Sequence, residues 1–165
     1  MKIHRESIQL HSNKNYPTFF TITDEVSDII KRSGIKDGIC VVYSHHTTCS
    51  VMIQECSYDT AYSGLEFLQQ DLVDILEKLV PTCLREGQYM HPGPKMTEFA
   101  ASVGEGKLDC INTDGHLRSV FFCRSETIVV IDGKLDMGQF GQIYFVDFDK
   151  TRERDRVVQI QIIGE

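Results

Sequence analysis

The chain has 165 residues, 41% of them hydrophobic and 25% charged, with a formal charge of −7 at neutral pH. That length suits one domain with its own core, residues 1–165. The acid excess argues against a duplex nucleic-acid partner, which demands a basic face, and against adsorption on an anionic membrane. No apolar run approaches the ~20 residues of a membrane span, and the opening residues lack the apolar region of a signal peptide, so a cytoplasmic location is expected.

Alternating and β-branched residues predict strands over 3–10 and 18–22. Asp24 suits a helix N-cap, and Val26, Ile29 and Ile30 then recur at helical spacing until Gly34. Strands follow over 38–43 and 49–53. A helix is predicted over 59–80, ended by Pro81, with Leu65, Leu68, Leu72, Ile75, Leu76 and Leu79 as one core-packing stripe. Glycines and prolines punctuate 82–111, a connection long enough to be a functional flap, with a short helix over 96–103. Thr113 or Asp114 can cap a helix running to about residue 122, and strands close the chain near 127–131, 142–148 and 156–163. The pattern predicts an α+β domain, a largely antiparallel curled sheet or sandwich packed with two or three helices.

Six cysteines show neither CxxC pairing nor zinc-ribbon spacing, and several sit in apolar stretches as small hydrophobes. Cys49 lies instead in a polar cluster, where a nucleophilic role requires a lowered pKa.

That cluster, residues 44–50, and a second over 112–118 gather more small polar and ionisable side chains than a core tolerates without partners. They read as two walls of one pocket. Consecutive strand residues face opposite ways, so His45 and His46 share the pocket only if the strand breaks there. Thr47 and Thr48 add hydroxyls suited to phosphate or hydroxyl recognition. A helix opening at Asp114 offers free N–H groups to an anion, with His116 and Arg118 just inside the turn. Asp114 is either a cap or a catalytic carboxylate, and Arg118 either forks a phosphate or is solvated. His46, His116 and His91, with Glu55 or Asp114, could also hold a divalent ion, zinc by the imidazoles or magnesium by the carboxylates. The glycine-rich run 132–142 lacks a P-loop ending and reads as a tight turn followed by a close backbone approach, possible also to a ligand. Lys150, Arg152, Arg154 and Arg156 form either a solvated turn or a rim that steers anions.

Together these segments resemble the YjbQ-like family, often labelled secondary thiamine-phosphate synthase. Residues 46–55 are similar to its His-Thr-Ser/Thr-Ala-x-Leu-Thr-Ile-Asn-Glu stretch. Asp114 through Ser119 resembles its Asp-to-His-Ile/Leu-Lys/Arg segment, aligned on His116. Residues 133–138, ending at Gly138, look like its Gly-x-Leu-x-Leu-Gly, and 154–165 resembles its basic-then-β ending. Gln54-Glu55-Cys56 and Phe140-Gly141-Gln142 depart from the pattern, and the 82–111 segment is longer than usual. The resemblance implies an α+β homotrimer with sites near subunit interfaces. It implies a transferase that joins a hydroxymethylpyrimidine diphosphate to a thiazole phosphate. In that role His46, His116, Asp114 and Glu55 are catalytic, while Thr47, Thr48, Arg118 and Gly138 bind the phosphorylated substrate, with Mg²⁺ on the leaving group. The competing expectations are a non-catalytic ligand- or metal-binding protein, and a metal-dependent hydrolase using His46, His116 and Glu55.

Overall fold

In the computed structural model, which describes residues 1–165, the alternating opening segment forms β1 (Lys2–Ser12), paired antiparallel along its length with β8 (Arg154–Gly164). On its other edge β8 pairs with β3 (Gly38–Ser44), β3 with β5 (Ser125–Ile131), and β5 with β6 (Lys134–Leu135). Asp132 and Gly133 join the last two at φ 52° and 72°. Two consecutive positive φ values make a tight turn that matches strand twist, which is why Asp-Gly stands there. A second antiparallel sheet has the order β2 (Thr18–Thr21), β7 (Gly141–Asp147), β4 (Cys49–Glu55).

The two sheets enclose the main core, where Cys40, Val42, Ile128, Ile160 and Ile162 meet Cys49, Val51, Ile143 and Phe145. Helix α1 (Thr23–Ser33) adds Val26, Ile29 and Ile30 to it. The other face of β7 presents Tyr144 and Val146 to a smaller core with Met52, Leu76 and Phe148. Both faces of β7 are thus covered, which explains its unbroken apolar run Ile143–Val146. The fold is α+β as expected, with four α-helices rather than two or three.

Several expectations need correction. Asp24 lies in the first turn of α1 rather than at its N-cap, which is Ile22. Helix α2 spans Phe67–Leu79, not 59–80, because Glu66 and Gln69 form a reciprocal capping box that starts it there. Its inner face carries Gln69, Val73 and Leu76, whereas Leu68, Ile75 and Leu79 of the expected core stripe are exposed, as is Phe67. The apolar residues of α2 wrap around too wide an arc for one face to bury them all.

Beyond α2, the long connection holds α3 (Pro94–Ser102), with Pro94 at its first turn, and a 3₁₀ turn (Lys107–Cys110). Helix α4 (Thr113–Phe122) follows, with Asn112 at the N-cap position, so neither Thr113 nor Asp114 caps it. No helix is long and apolar enough to cross a membrane.

Gly115 lets α4 lie directly on the end of β7. A Cβ there would stand 3.1 Å from the Phe148 carbonyl oxygen and 3.3 Å from the Asp149 nitrogen, both backbone atoms. Gly115→Ala is therefore expected to lower the unfolding free energy by about 1–3 kcal/mol despite alanine's better helix propensity. A urea titration of the two proteins checks it; equal midpoints would mean that α4 shifts freely.

Candidate active site

Strand β3 ends at Ser44 and β4 begins at Cys49, so His45 and His46 lie in the turn between two sheets rather than on a strand. Released from strand alternation, both imidazoles face one cleft, their ring centroids 4.2 Å apart. The cleft has a volume of about 310 Å³ and is polar. His45, His46, Thr47 and Thr48 form one side, Asn112 and His116 at the start of α4 another, and Asp149, Arg154 and Arg156 a third. The long connection closes it with His91, Met96, Glu105, Asp109 and Cys110. That connection is tied down by Arg152, whose two terminal nitrogens meet Glu105 at 2.8 Å and Asp109 at 2.7 Å, and by Arg154, 3.3 Å from Glu105. These arginines are paired rather than freely solvated.

The floor is a buried ion pair. Arg156 Nε donates to Asp147 Oδ2 at 2.6 Å, and Arg156 Nη2 donates to Thr48 Oγ1 at 3.1 Å. Asp147, wholly buried, also accepts from Ser12 Oγ at 2.8 Å, Thr48 Oγ1 at 3.1 Å and the Asp149 N–H at 3.0 Å. Each carboxylate oxygen has two donors, which is the condition for a buried charge to be tolerated.

Hydrogen bonding assigns different capacities to the two central histidines. The Val157 N–H donates to His46 Nε2 at 3.0 Å, so the neutral ring carries its proton on Nδ1. His116 Nδ1 lies 3.3 Å from the Thr47 carbonyl, which can only accept, so its Nε2 keeps an open lone pair. Next to it stands His91, ring centroids 5.4 Å apart and edge to face. Burial lowers the pKa of both His46 and His116, reinforced by Arg156 and His45 for the first and by His91 for the second. His46 thus presents a donor, and His116 a proton acceptor, at neutral pH.

These lowered values set a pH dependence. Between 6.5 and the folded-state values, the unfolded chain binds protons that the native one refuses, so stability is full above pH 6.5 and falls as pH drops below it. The fall from pH 7 to 5.5 in the urea midpoint should be smaller in His116→Gln than in the wild type. Equal falls would show that His116 is not held neutral by the fold.

His46, Thr47, Thr48, His91 and His116 thus line one cleft. Four other expected site residues do not line this cleft. Glu55 is exposed at the far end of β4, about 20 Å from Cys49 at roughly 3.3 Å per residue. Gly138, at φ 69°, precedes β7 near that same end, where Gly141 pairs with Glu55 and a Cβ at Gly141 would meet the Met137 carbonyl rather than a ligand. Arg118, fully buried, donates from Nε and Nη2 to the Val80 carbonyl and reaches Glu77 Oε2 at 2.6 Å, closing the C-terminus of α2. Asp114 is buried beneath it, 3.4 Å from Lys150 Nζ and 3.9 Å from Arg118 Nη2. Cys49 is a buried core residue whose thiol is pushed well up, first by burial.

The metal set fares no better as a unit. No group of three or more His, Cys, Asp or Glu side chains is placed to hold an ion. In His46 the single lone pair of the neutral ring is taken by Val157. The three imidazoles share a cleft without forming a ligand set.

Comparison with known proteins settles the family. The model of the UPF0047, YjbQ-like family matches residues 6–165. The chain belongs to that family. A UPF0047 protein of Methanothermobacter thermautotrophicus is 28% identical over 165 residues, covering all of this chain and 95% of that one. The YugU protein of Bacillus subtilis is 24% identical over 149 residues, 90% of this chain and 92% of that one. Among solved structures, a YjbQ/UPF0047-family protein of Clostridium acetobutylicum superposes with TM-score 0.67 at 25% identity, over 94% of this chain and 99% of that one. A Sulfolobus solfataricus structure, described as of unknown function, gives TM-score 0.69 at 21% identity over 99% of this chain and all of that one. It speaks for the YjbQ-like fold alone.

The sequence pattern placed Asn112 in a pocket wall but did not point to Asp149, Glu105 and Asp109 as lining residues, and gave His45 no role. The break between two apolar runs at 45–48 was the available signal for His45. Glu105 and Asp109 carry none, because their place in the cleft depends on how the long connection folds back, and Asp149 reads only as part of a charged turn.

Proposed function

We propose that this YjbQ-like protein is an enzyme acting on phosphorylated small metabolites, a transferase that joins a hydroxymethylpyrimidine diphosphate to a thiazole phosphate. The observation that carries the reading is the convergence of four imidazoles, Arg154 and Arg156 on one small polar cleft at the start of α4. In the reaction the thiazole nitrogen donates its lone pair to the pyrimidine's methylene carbon. The carbon–oxygen bond to diphosphate breaks as the new bond forms, and the leaving group departs with that electron pair. Developing charge on diphosphate is what arginines and the free N–H groups of a helix start neutralise best. Arg154 and Arg156 line the cleft for that role, with Asn112 at the N-cap of α4 beside them. His46 donates from Nδ1 to a phosphate oxygen, and Thr47 and Thr48 flank it. His116 turns its Nε2 lone pair toward the positive charge that develops on the pyrimidine as the carbon–oxygen bond breaks, and no proton is gained or lost in the step. No step is assigned to a protein-bound metal, given the ligand geometry; Mg²⁺ belongs in the assay because it accompanies diphosphate in solution.

A homotrimer, which the family resemblance implies, would cover apolar side chains that α2 leaves exposed, Phe67, Ile75 and Leu79 among them. Light scattering on the purified chain tests that state directly.

The reaction is tested by mixing purified protein with both substrates and Mg²⁺ and measuring thiamine phosphate. Saturable formation well above the protein-free rate is expected. No product at any substrate concentration, with the protein folded, would overturn the reading and favour a binding role for the same cleft.

A further inference from the structure

A second cavity, of about 560 Å³, is lined by Tyr43, Thr47, His116, Ser119, Val120, Cys123, Arg124 and Ser125. It lies where the C-terminal half of α4 approaches the paired ends of β3 and β5, at the Tyr43–Ser125 register. The Arg124 carbonyl accepts the Ser44 N–H at 2.8 Å, which fixes the corner. Thr47 and His116 line both cavities, so the two adjoin at these residues. The two residues are joined where the cavities meet: the Thr47 carbonyl accepts from His116 Nδ1 at 3.3 Å and from Ser119 Oγ at 2.7 Å.

The two cavities differ in character. The first is crowded with imidazoles, guanidinium groups and carboxylates, whereas the exposed wall of the second is mainly apolar, with Arg124 as its only full positive charge. A flat ring can lie on Tyr43 and Val120 while a phosphate meets the exposed Arg124 and the Ser125 hydroxyl. A reaction between two phosphorylated molecules needs two adjoining seats, with the reacting atoms brought together where they meet. We infer that the second cavity is the seat of the acceptor substrate, a small heteroaromatic monophosphate, while the diphosphate donor occupies the first. This rests on the transferase reading for its chemistry, but the seat itself is a binding claim that can be tested alone.

Cys123 provides the readout, because it is exposed at the rim of this second cavity while the first contributes only the buried Cys110. Alkylation of Cys123 in the whole protein is followed by peptide mass spectrometry, with thiazole phosphate or inorganic diphosphate added. Thiazole phosphate should slow the modification at least fivefold and diphosphate should not. Arg124→Gln, an exposed position, should weaken that protection at least tenfold in concentration, and in turnover should raise KM for thiazole phosphate while leaving KM for the diphosphate donor unchanged. Protection without any turnover would uphold the seat and sink only the transferase reaction. Absence of protection at saturating thiazole phosphate, or equal protection by diphosphate, would overturn the second seat even in a protein that turns over.

Discussion

Replacing Asp147 with asparagine is expected to cost about 3–5 kcal/mol of folding stability, the usual consequence of removing one partner from a buried ion pair. The side chain is fully buried and accepts four hydrogen bonds, from Arg156, Ser12, Thr48 and the Asp149 backbone. Asparagine keeps the shape, but it cancels the charge and turns two donors of its own toward groups that also donate. Arg156 is then left charged and nearly without solvent. With a urea slope of roughly 1–3 kcal/mol per molar, the midpoint should fall by at least about 1 M. Pairing Asp147→Asn with Arg156→Met should recover part of the loss, since no buried charge remains unpaired. A loss below about 1 kcal/mol in the single variant would mean that water or a rearranged Arg156 already satisfies the site, and that the cleft floor is not built as described.

The second large effect concerns activity rather than stability. His116→Ala is expected to reduce kcat about 10²–10³-fold, the range for losing one group that stabilises charge developing in the transition state. Its ring makes one hydrogen bond, to the Thr47 carbonyl, which also accepts from Ser119, so the backbone group keeps a partner when the ring is removed. Folding should therefore survive nearly intact. His46→Ala behaves differently: it strands the Val157 N–H that His46 Nε2 now accepts, so it should lose activity and about 1–3 kcal/mol of stability together. Circular dichroism melts beside initial rates separate the two cases. A His116→Ala protein with undiminished kcat would remove this residue from the chemistry.

Much of the fold was legible in the residue pattern because local periodicity and turn chemistry agreed with the final packing. Gly34 ends α1 in the left-handed conformation, and Asp132-Gly133 makes the expected tight turn. The failures share a cause. Glu55 follows the histidine cluster closely in sequence, yet a straight strand carries it away from the cleft. Arg118 stands two residues after His116 on α4, but the helix turns it toward the end of α2 instead. Arg156 and Asp147 find one another, and meet Ser12 and Thr48, only after two separate sheets have assembled. No spacing rule in one sequence encodes that meeting. The same holds for Glu105 and Asp109, which reach the cleft through pairs with Arg152.

Titration calorimetry of the wild-type protein with inorganic diphosphate, beside Arg154→Gln and Arg124→Gln, tests most directly whether the polar cleft is built for phosphorylated compounds. Saturable binding is expected in the wild type and in Arg124→Gln, weakened at least tenfold in Arg154→Gln, whose side chain lines the first cleft. No binding in the wild type, or binding indifferent to Arg154, would contradict the central claim.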